Sequence, residues 1–147
     1  MTSSASSAAS AASWPVLVVT SRCPCQSGET YGSCCGRLHN SPFHDAAARA
    51  VTAERLMRSR YSAFVVGDER YLLESWHPST RPSTLELDPA QRWFGLEIRR
   101  TTLGGLLDST GTVEFVAKFR LDGQVSEQHE TSRFVRLDSR WVYLDGA

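Results

Sequence analysis

No apolar run in this 147-residue sequence approaches the ~20 residues that a bilayer-spanning helix needs. Chains held to nucleic acid by general electrostatics carry a basic surplus, and that is missing too: 16 Lys and Arg balance 16 Asp and Glu. No internal repeat is visible. There is no His-Glu-x-x-His metal motif, no phosphate-cradling glycine loop and no nucleophile elbow. The redox spacing Cys-x-x-Cys is absent. Cysteine itself is absent from all but one stretch: Cys23, Cys25, Cys34 and Cys35 lie within thirteen residues.

These cysteines form two pairs, Cys-x-Cys and Cys-Cys, on either side of a polar loop. Folding the loop back brings four thiolates around one tetrahedral ion, and zinc favours such ligands. Gly28, Gly32 and Gly36 supply the backbone freedom of a tight wrap. Two disulfides are the alternative, but they suit a secreted mini-domain, and bridges between near neighbours are strained. A redox pair is a third reading. Four thiolates close the coordination sphere, so zinc here is structural rather than catalytic. His39, in the turn after the cluster, is a candidate substitute for one cysteine.

The run Cys23-Pro-Cys-x-Ser-Gly-x-x-Tyr-x-x-Cys-Cys-Gly36 resembles the SEC-C motif, the zinc knuckle also found at the tail of the SecA translocase. Further on, Leu56-Met-Arg-Ser-Arg-Tyr-Ser-Ala63, Trp76-His-Pro-Ser-Thr-Arg-Pro82, His129-Glu-x-Ser-Arg-Phe134 and Trp141-x-Tyr-x-Asp-Gly146 resemble the YchJ family. That family joins an SEC-C knuckle to an α+β domain similar to nuclear transport factor 2. The resemblance implies a curved antiparallel sheet wrapped around a long helix as a cone with one open end. It brings no activity with it.

In chain order, residues 1–20 read as a disordered Ser/Ala-rich tail, 21–44 as the zinc knuckle and 45–147 as the cone-shaped α+β domain. His44–Ala50 reads either as a short helix or as the start of the next domain. Thr52 is an N-cap for a helix from Ala53. Ala53, Leu56, Met57, Tyr61, Phe64 and Val65 share its apolar face, with Arg55, Arg58, Ser59 and Ser62 on the other. Gly67-Asp68 ends it and caps a second helix, Glu69 to Trp76. A Pro-stiffened loop follows from His77. Phe94, Leu96 and Ile98 alternate as one strand. Val113, Phe115, Ala117, Phe119 and Leu121 line one side of the next. Asp122-Gly123 and Asp138-Ser139 are hairpin turns. Helices followed by consecutive antiparallel strands mean α+β.

Arg60 lies within the apolar face, so it needs a partner. It either clamps carbonyls or a carboxylate, or it points into the cone as an anion-binding group. His77, near Arg81, either borders the open mouth as a general base or caps the preceding helix. His129 and Glu130 point to opposite faces; His129, with Glu127, Thr131 and Arg133, forms a polar row, solvated or lining a pocket. Trp141 and Tyr143 share a face and read as packing residues, with Tyr143 also a pocket candidate. Arg37, Arg49, Arg55 and Arg58 make a basic patch.

Three functions follow as expectations for a cytoplasmic, bacterial-type protein, monomeric or homodimeric and not membrane-bound. The first is a protein-binding or adaptor module presenting a structural zinc knuckle. The second is a small-molecule-binding protein or enzyme using Arg60, His77, His129 and Tyr143. The third is RNA binding through the arginine patch. The Ser/Ala leader is expected to be dispensable. N-terminal sequencing of the native protein checks this: a start near Val19 agrees, and Met1 or Thr2 contradicts it.

Overall fold

The computed structural model describes residues 12–43, 45 and 48–146. A 3-10 turn (Tyr31–Ser33) leads into helix α1 (Cys35–His39), followed by α2 (Ala53–Val66) and α3 (Glu69–Glu74). Strands β1 (Arg92–Leu103), β2 (Thr110–Leu121), β3 (Gln124–Leu137) and β4 (Arg140–Gly146) complete the chain. No helix among the described residues is long and apolar enough to cross a membrane.

The helix boundaries follow local chemistry. Thr52 is extended, and its hydroxyl accepts the Arg55 N–H at 3.0 Å, which satisfies an orphan donor and starts α2. Gly67 ends it in the left-handed region at φ 76°. A Cβ there would also collide with the Trp14 ring. Asp68 caps α3 by accepting the Tyr71 N–H at 3.0 Å. This helix stops at Glu74, before the expected end at Trp76. Trp76 instead bridges to Tyr143 of β4: the Tyr143 N–H donates to the Ser75 carbonyl and the His77 N–H to the Tyr143 carbonyl, each at 2.8 Å.

The strands form one antiparallel meander in the order β1-β2-β3-β4. Both expected two-residue turns are present, with positive φ at Asp122 and Gly123 and at Asp138 and Ser139. In β2 the alternation is as read: Val113, Phe115 and Ala117 are buried. In β1 it is not. A register shift between Trp93 and Gly95 turns Phe94 outward, 44% exposed, and sends Trp93 inward with Leu96 and Ile98. A bulge inverts the phase of a period-two pattern, so Phe94 belongs to the outer face.

Helix α2 packs against β1, β2 and β4, so the sheet curls around it. The opposite side of α2 departs from the expected polar face. Ser59 and Ser62 are fully buried there. The cysteine-rich segment meets Ser62, whose Oγ lies 3.7 Å from Cys23 Sγ, and α3 meets Ser59, whose Oγ lies 2.7 Å from the Tyr71 hydroxyl. Cys23, Cys25, Cys34 and Cys35 therefore share one continuous core with Leu56, Tyr61, Phe134 and Trp141.

Of the expected 1–20 tail, residues 1–11 lie outside the described residues. From Trp14 the chain lies on the fold: Leu17 packs against the core and the Val19 carbonyl accepts the Gly32 N–H at 2.9 Å. Of the stretch His44–Ala50, residues 44, 46 and 47 also lie outside the described residues.

Candidate functional site

The loop between the cysteine pairs closes on itself. Arg22 and Thr30 form an antiparallel bridge, and the Cys23 N–H donates to the Glu29 carbonyl at 3.0 Å. Of the three glycines in the wrap only Gly28 has positive φ; Gly32 and Gly36 instead make room for Val19 and Tyr31. The four sulfurs lie within 4.8 Å of one another, all buried and all free. Cys25 Sγ and Cys34 Sγ are 3.6 Å apart. A metal held at about 2.3 Å by four thiolates spaces its sulfurs by roughly 3.8 Å, whereas a disulfide needs about 2.05 Å. The donor set and the spacing both fit one tetrahedral metal ion.

The surroundings suit an anionic centre. Arg55 Nη2 donates to Cys35 Sγ at 3.1 Å and to Cys34 Sγ at 3.3 Å. Burial alone would lower the Arg55 pKa, but the sulfurs of Cys35, Cys34 and Cys25 together outweigh that and hold it above the ordinary arginine value. Arg58 Nη1 donates to the Cys25 carbonyl at 2.7 Å and Nε to Glu54 at 3.0 Å. Within the thiol cluster, hydrogen bonds from Cys23 and Cys35 push Cys25 down, and those to Cys23 and Cys25 push Cys35 up. Burial pushes Cys34 up.

This geometry redistributes the expected arginine patch. Arg55 and Arg58 face the knuckle, and Arg49 Nη1 donates to the Ser139 carbonyl at 2.9 Å. Of the expected four, only Arg37 projects from an exposed position without a bond of this kind among the described residues.

His39 is not a ligand. It is 3% exposed, with Nδ1 2.6 Å from the Tyr31 hydroxyl and Nε2 2.8 Å from the Ser59 carbonyl. A carbonyl only accepts, so Nε2 carries the proton and Nδ1 accepts from Tyr31. The ring pins α1 to α2, and burial pushes its pKa below the usual histidine value.

A cavity of about 210 Å³ opens between α2 and the inner sheet face. Its body is aromatic: Phe64, Trp93, Phe115 and Phe134. Its polar groups are Arg60, Trp76, Gln128, Glu130, Ser132 and Tyr143. Arg60 meets the clamping expectation and also reaches the cavity wall. It clamps the Leu72 carbonyl at 2.8 Å and the Ser75 hydroxyl at 2.6 Å, and it lines the cavity. Its guanidinium lies 4.6 Å from the Tyr143 ring centroid and 5.0 Å from that of Trp76. Burial lowers its pKa to about 10, which leaves it cationic at neutral pH. Tyr143 donates to Glu130 Oε2 at 3.2 Å, and burial, then the Glu130 carboxylate, raises its pKa to about 12.

A family model described as the middle NTF2-like domain of YchJ matches residues 52–146, and the SEC-C motif matches residues 20–37. The chain belongs to the YchJ family. It is 54% identical over 127 residues to a UPF0225 protein of Streptomyces coelicolor, covering 86% of this chain and 95% of that one. A UPF0225 protein of Ralstonia nicotianae is 48% identical over 145 residues, covering 90% and 94%. The solution structure of a SEC-C motif containing protein from Rhodopseudomonas palustris superposes with a TM-score of 0.68 at 32% identity, over 85% of this chain and 96% of that one. A crystal structure of a SEC-C motif containing protein from Psychrobacter arcticus gives 0.70 at 30%, over 86% and 82%.

In this YchJ-family chain two expected pocket residues lie elsewhere. His77 is held in its own turn, with Nδ1 accepting the Ser79 N–H at 3.0 Å, and it neither lines the cavity nor caps α3. His129 pairs across the ladder with Val116 on the outer face and bonds Glu114 Oε2 at 2.7 Å. Its polar row is therefore a solvated face. Glu130 and Trp76 were missed as cavity residues. Glu130 pairs with Phe115, which points inward, so the strand alternation that separated it from His129 already put it on the cavity side.

A histidine whose folded pKa lies below its unfolded value has no effect above about pH 6.5. Below that pH it destabilises the fold, because the unfolded chain takes up a proton that the folded chain refuses. His39 is expected to stay neutral, with the proton on Nε2, as the pH falls through about 6.5. A ring-nitrogen NMR titration checks this, and protonation at or above that pH contradicts it.

Proposed function

We propose that this protein binds a small organic molecule in its cone cavity, and that the knuckle holds one structural zinc ion that fixes the helix forming the cavity wall. The observation carrying this reading is the cavity itself: an aromatic enclosure with a few convergent polar groups, the usual form of a ligand site. Zinc is favoured by four clustered thiolates with no carboxylate or open position among them. Cys23, Cys25, Cys34 and Cys35 are its ligands, and Arg55 is the charge that offsets them. The chain works where thiols stay reduced, as in the cytoplasm.

The adaptor reading draws less support from the geometry. One side of the knuckle is taken up by α2, through Arg55, Arg58 and Ser62, and its cysteines are part of the main core. RNA binding has lost most of its patch to the same contacts.

Two outcomes are expected. The purified chain holds one zinc, its four thiols react only after chelation, and Arg55→Gln lowers zinc affinity by about 10–100-fold in chelator competition; no metal, or unchanged affinity, contradicts this. In an NMR screen of small metabolites, hits shift the Trp76 and Trp93 indole N–H signals. Ala117→Leu, which fills the cavity, keeps the fold and abolishes those shifts. Hits that bind Ala117→Leu equally, or a screen with no hit in the cavity, count against the reading.

A further inference from the structure

Two opposite charges line the cavity without meeting each other. Arg60 is 6% exposed, and only its Nη1 is engaged, by the Leu72 carbonyl and the Ser75 hydroxyl. Its Nε and Nη2 bond to no group among the described residues, yet neither is one of the fully buried atoms left without a partner. Both therefore keep surface open to the cavity that Arg60 lines. Glu130 accepts from Ser132 at 2.6 Å and from Tyr143 at 3.2 Å, both at Oε2, and its Oε1 is open in the same way. The two side chains form no ion pair with each other. Tyr143 sets them side by side: its ring centroid lies 4.6 Å from the Arg60 guanidinium, and its hydroxyl bonds Glu130.

Solvent reaches both groups in the free protein. A ligand displaces that solvent, and what replaces it must answer two charges inside a wall of aromatic rings. An anion would satisfy Arg60 and be repelled by Glu130; a cation would do the reverse. An uncharged molecule is repelled by neither, but it offers both only the weaker, neutral kind of partner. A carboxylate and an ammonium on one carbon answer both charges and leave their sum at zero.

We infer that the cavity takes a small zwitterion, an α-amino acid with a single-ring side chain, whose carboxylate accepts from Nε and Nη2 of Arg60 and whose ammonium donates to Oε1 of Glu130. This rests on the cavity being the binding site. The two N–H groups on one edge of a guanidinium match the two oxygens of a carboxylate. The ring of the ligand lies against Phe64, Trp93 and Phe115. At about 210 Å³ the space falls below the ~300–1,000 Å³ of sites for drug-sized ligands, which suits a single-ring molecule.

The test titrates four probes of similar shape into the full chain: phenylalanine, 3-phenylpropionate, phenethylammonium and 3-phenylpropanamide. The Trp93 indole N–H and Arg60 Nε–H signals are followed by NMR. Phenylalanine is expected to bind about tenfold more tightly than each of the other three and to move the Arg60 signal. Glu130→Gln keeps an oxygen for Ser132 and Tyr143 but removes the charge. In that variant phenylalanine loses its advantage over 3-phenylpropionate. Any of the three other probes matching phenylalanine on the unaltered chain, or an undiminished advantage in Glu130→Gln, overturns the inference while leaving the cavity as the site. If none of the four shifts any cavity resonance, the cavity reading itself falls.

Discussion

The guanidinium of Arg55, bonded to two buried sulfurs, is the charge at the joint between the two parts of this protein, with Arg58, His39 and Ser62 beside it. Successive residues of an α-helix are turned by about 100°, so Arg55 and Arg60 leave α2 about 140° apart. One meets the thiolate cluster and the other the cavity. The helix is thus buried on two sides, and the position of one charge constrains that of the other. A buried arginine is tolerated only with partners, and each has its own set: sulfurs for Arg55, a carbonyl, a hydroxyl and two rings for Arg60. A metal at the cysteines therefore acts on more than the knuckle. Bound there, it would fix the helix from which the cavity wall is built.

The cavity is held from the sheet side by a second polar chain. Ser132, Tyr143 and Glu130 bond one another, and Tyr143 also covers one side of the Arg60 guanidinium. Rigid aromatic rings supply the rest of the enclosure, with Trp93 packed between Phe64 and Phe119. Such a site is largely pre-formed, so a ligand loses little affinity to ordering side chains. The outer face of the same sheet is different in character. Lys118–Glu127, His129–Glu114 and Arg133–Asp145 pair there in solvent, where ion pairs contribute little.

Much of this was legible in the sequence because it is local. The cysteine spacing pointed to one metal centre, Thr52 and Gly67-Asp68 marked the helix ends, and Asp122-Gly123 and Asp138-Ser139 marked the hairpins. What escaped depends on distant partners. A helical wheel of α2 shows Ser59 and Ser62 as polar and hence exposed, because it carries no sign of a second layer supplied by Tyr71 at Ser59 and by Cys23 at Ser62. The bulge at Trp93 inverts the phase of β1 without a local signature beyond Gly95. Trp76 leaves its helix to pair with Tyr143, a residue 67 positions away in the sequence. Glu130 was separated correctly from His129, but choosing its side required knowing that Phe115 opposite it faces inward. Arg60 was singled out correctly because a charge within an apolar stripe always demands an explanation.

The unity of knuckle and cone is the claim from which the rest follows, and calorimetry of the full chain with and without a chelator tests it most directly. The account predicts one unfolding transition that moves to lower temperature as a whole when the metal is removed, because the cysteines belong to the core that α2 shares with the sheet. Two separate transitions, with the larger one unmoved by the chelator, would show an independent knuckle and contradict it.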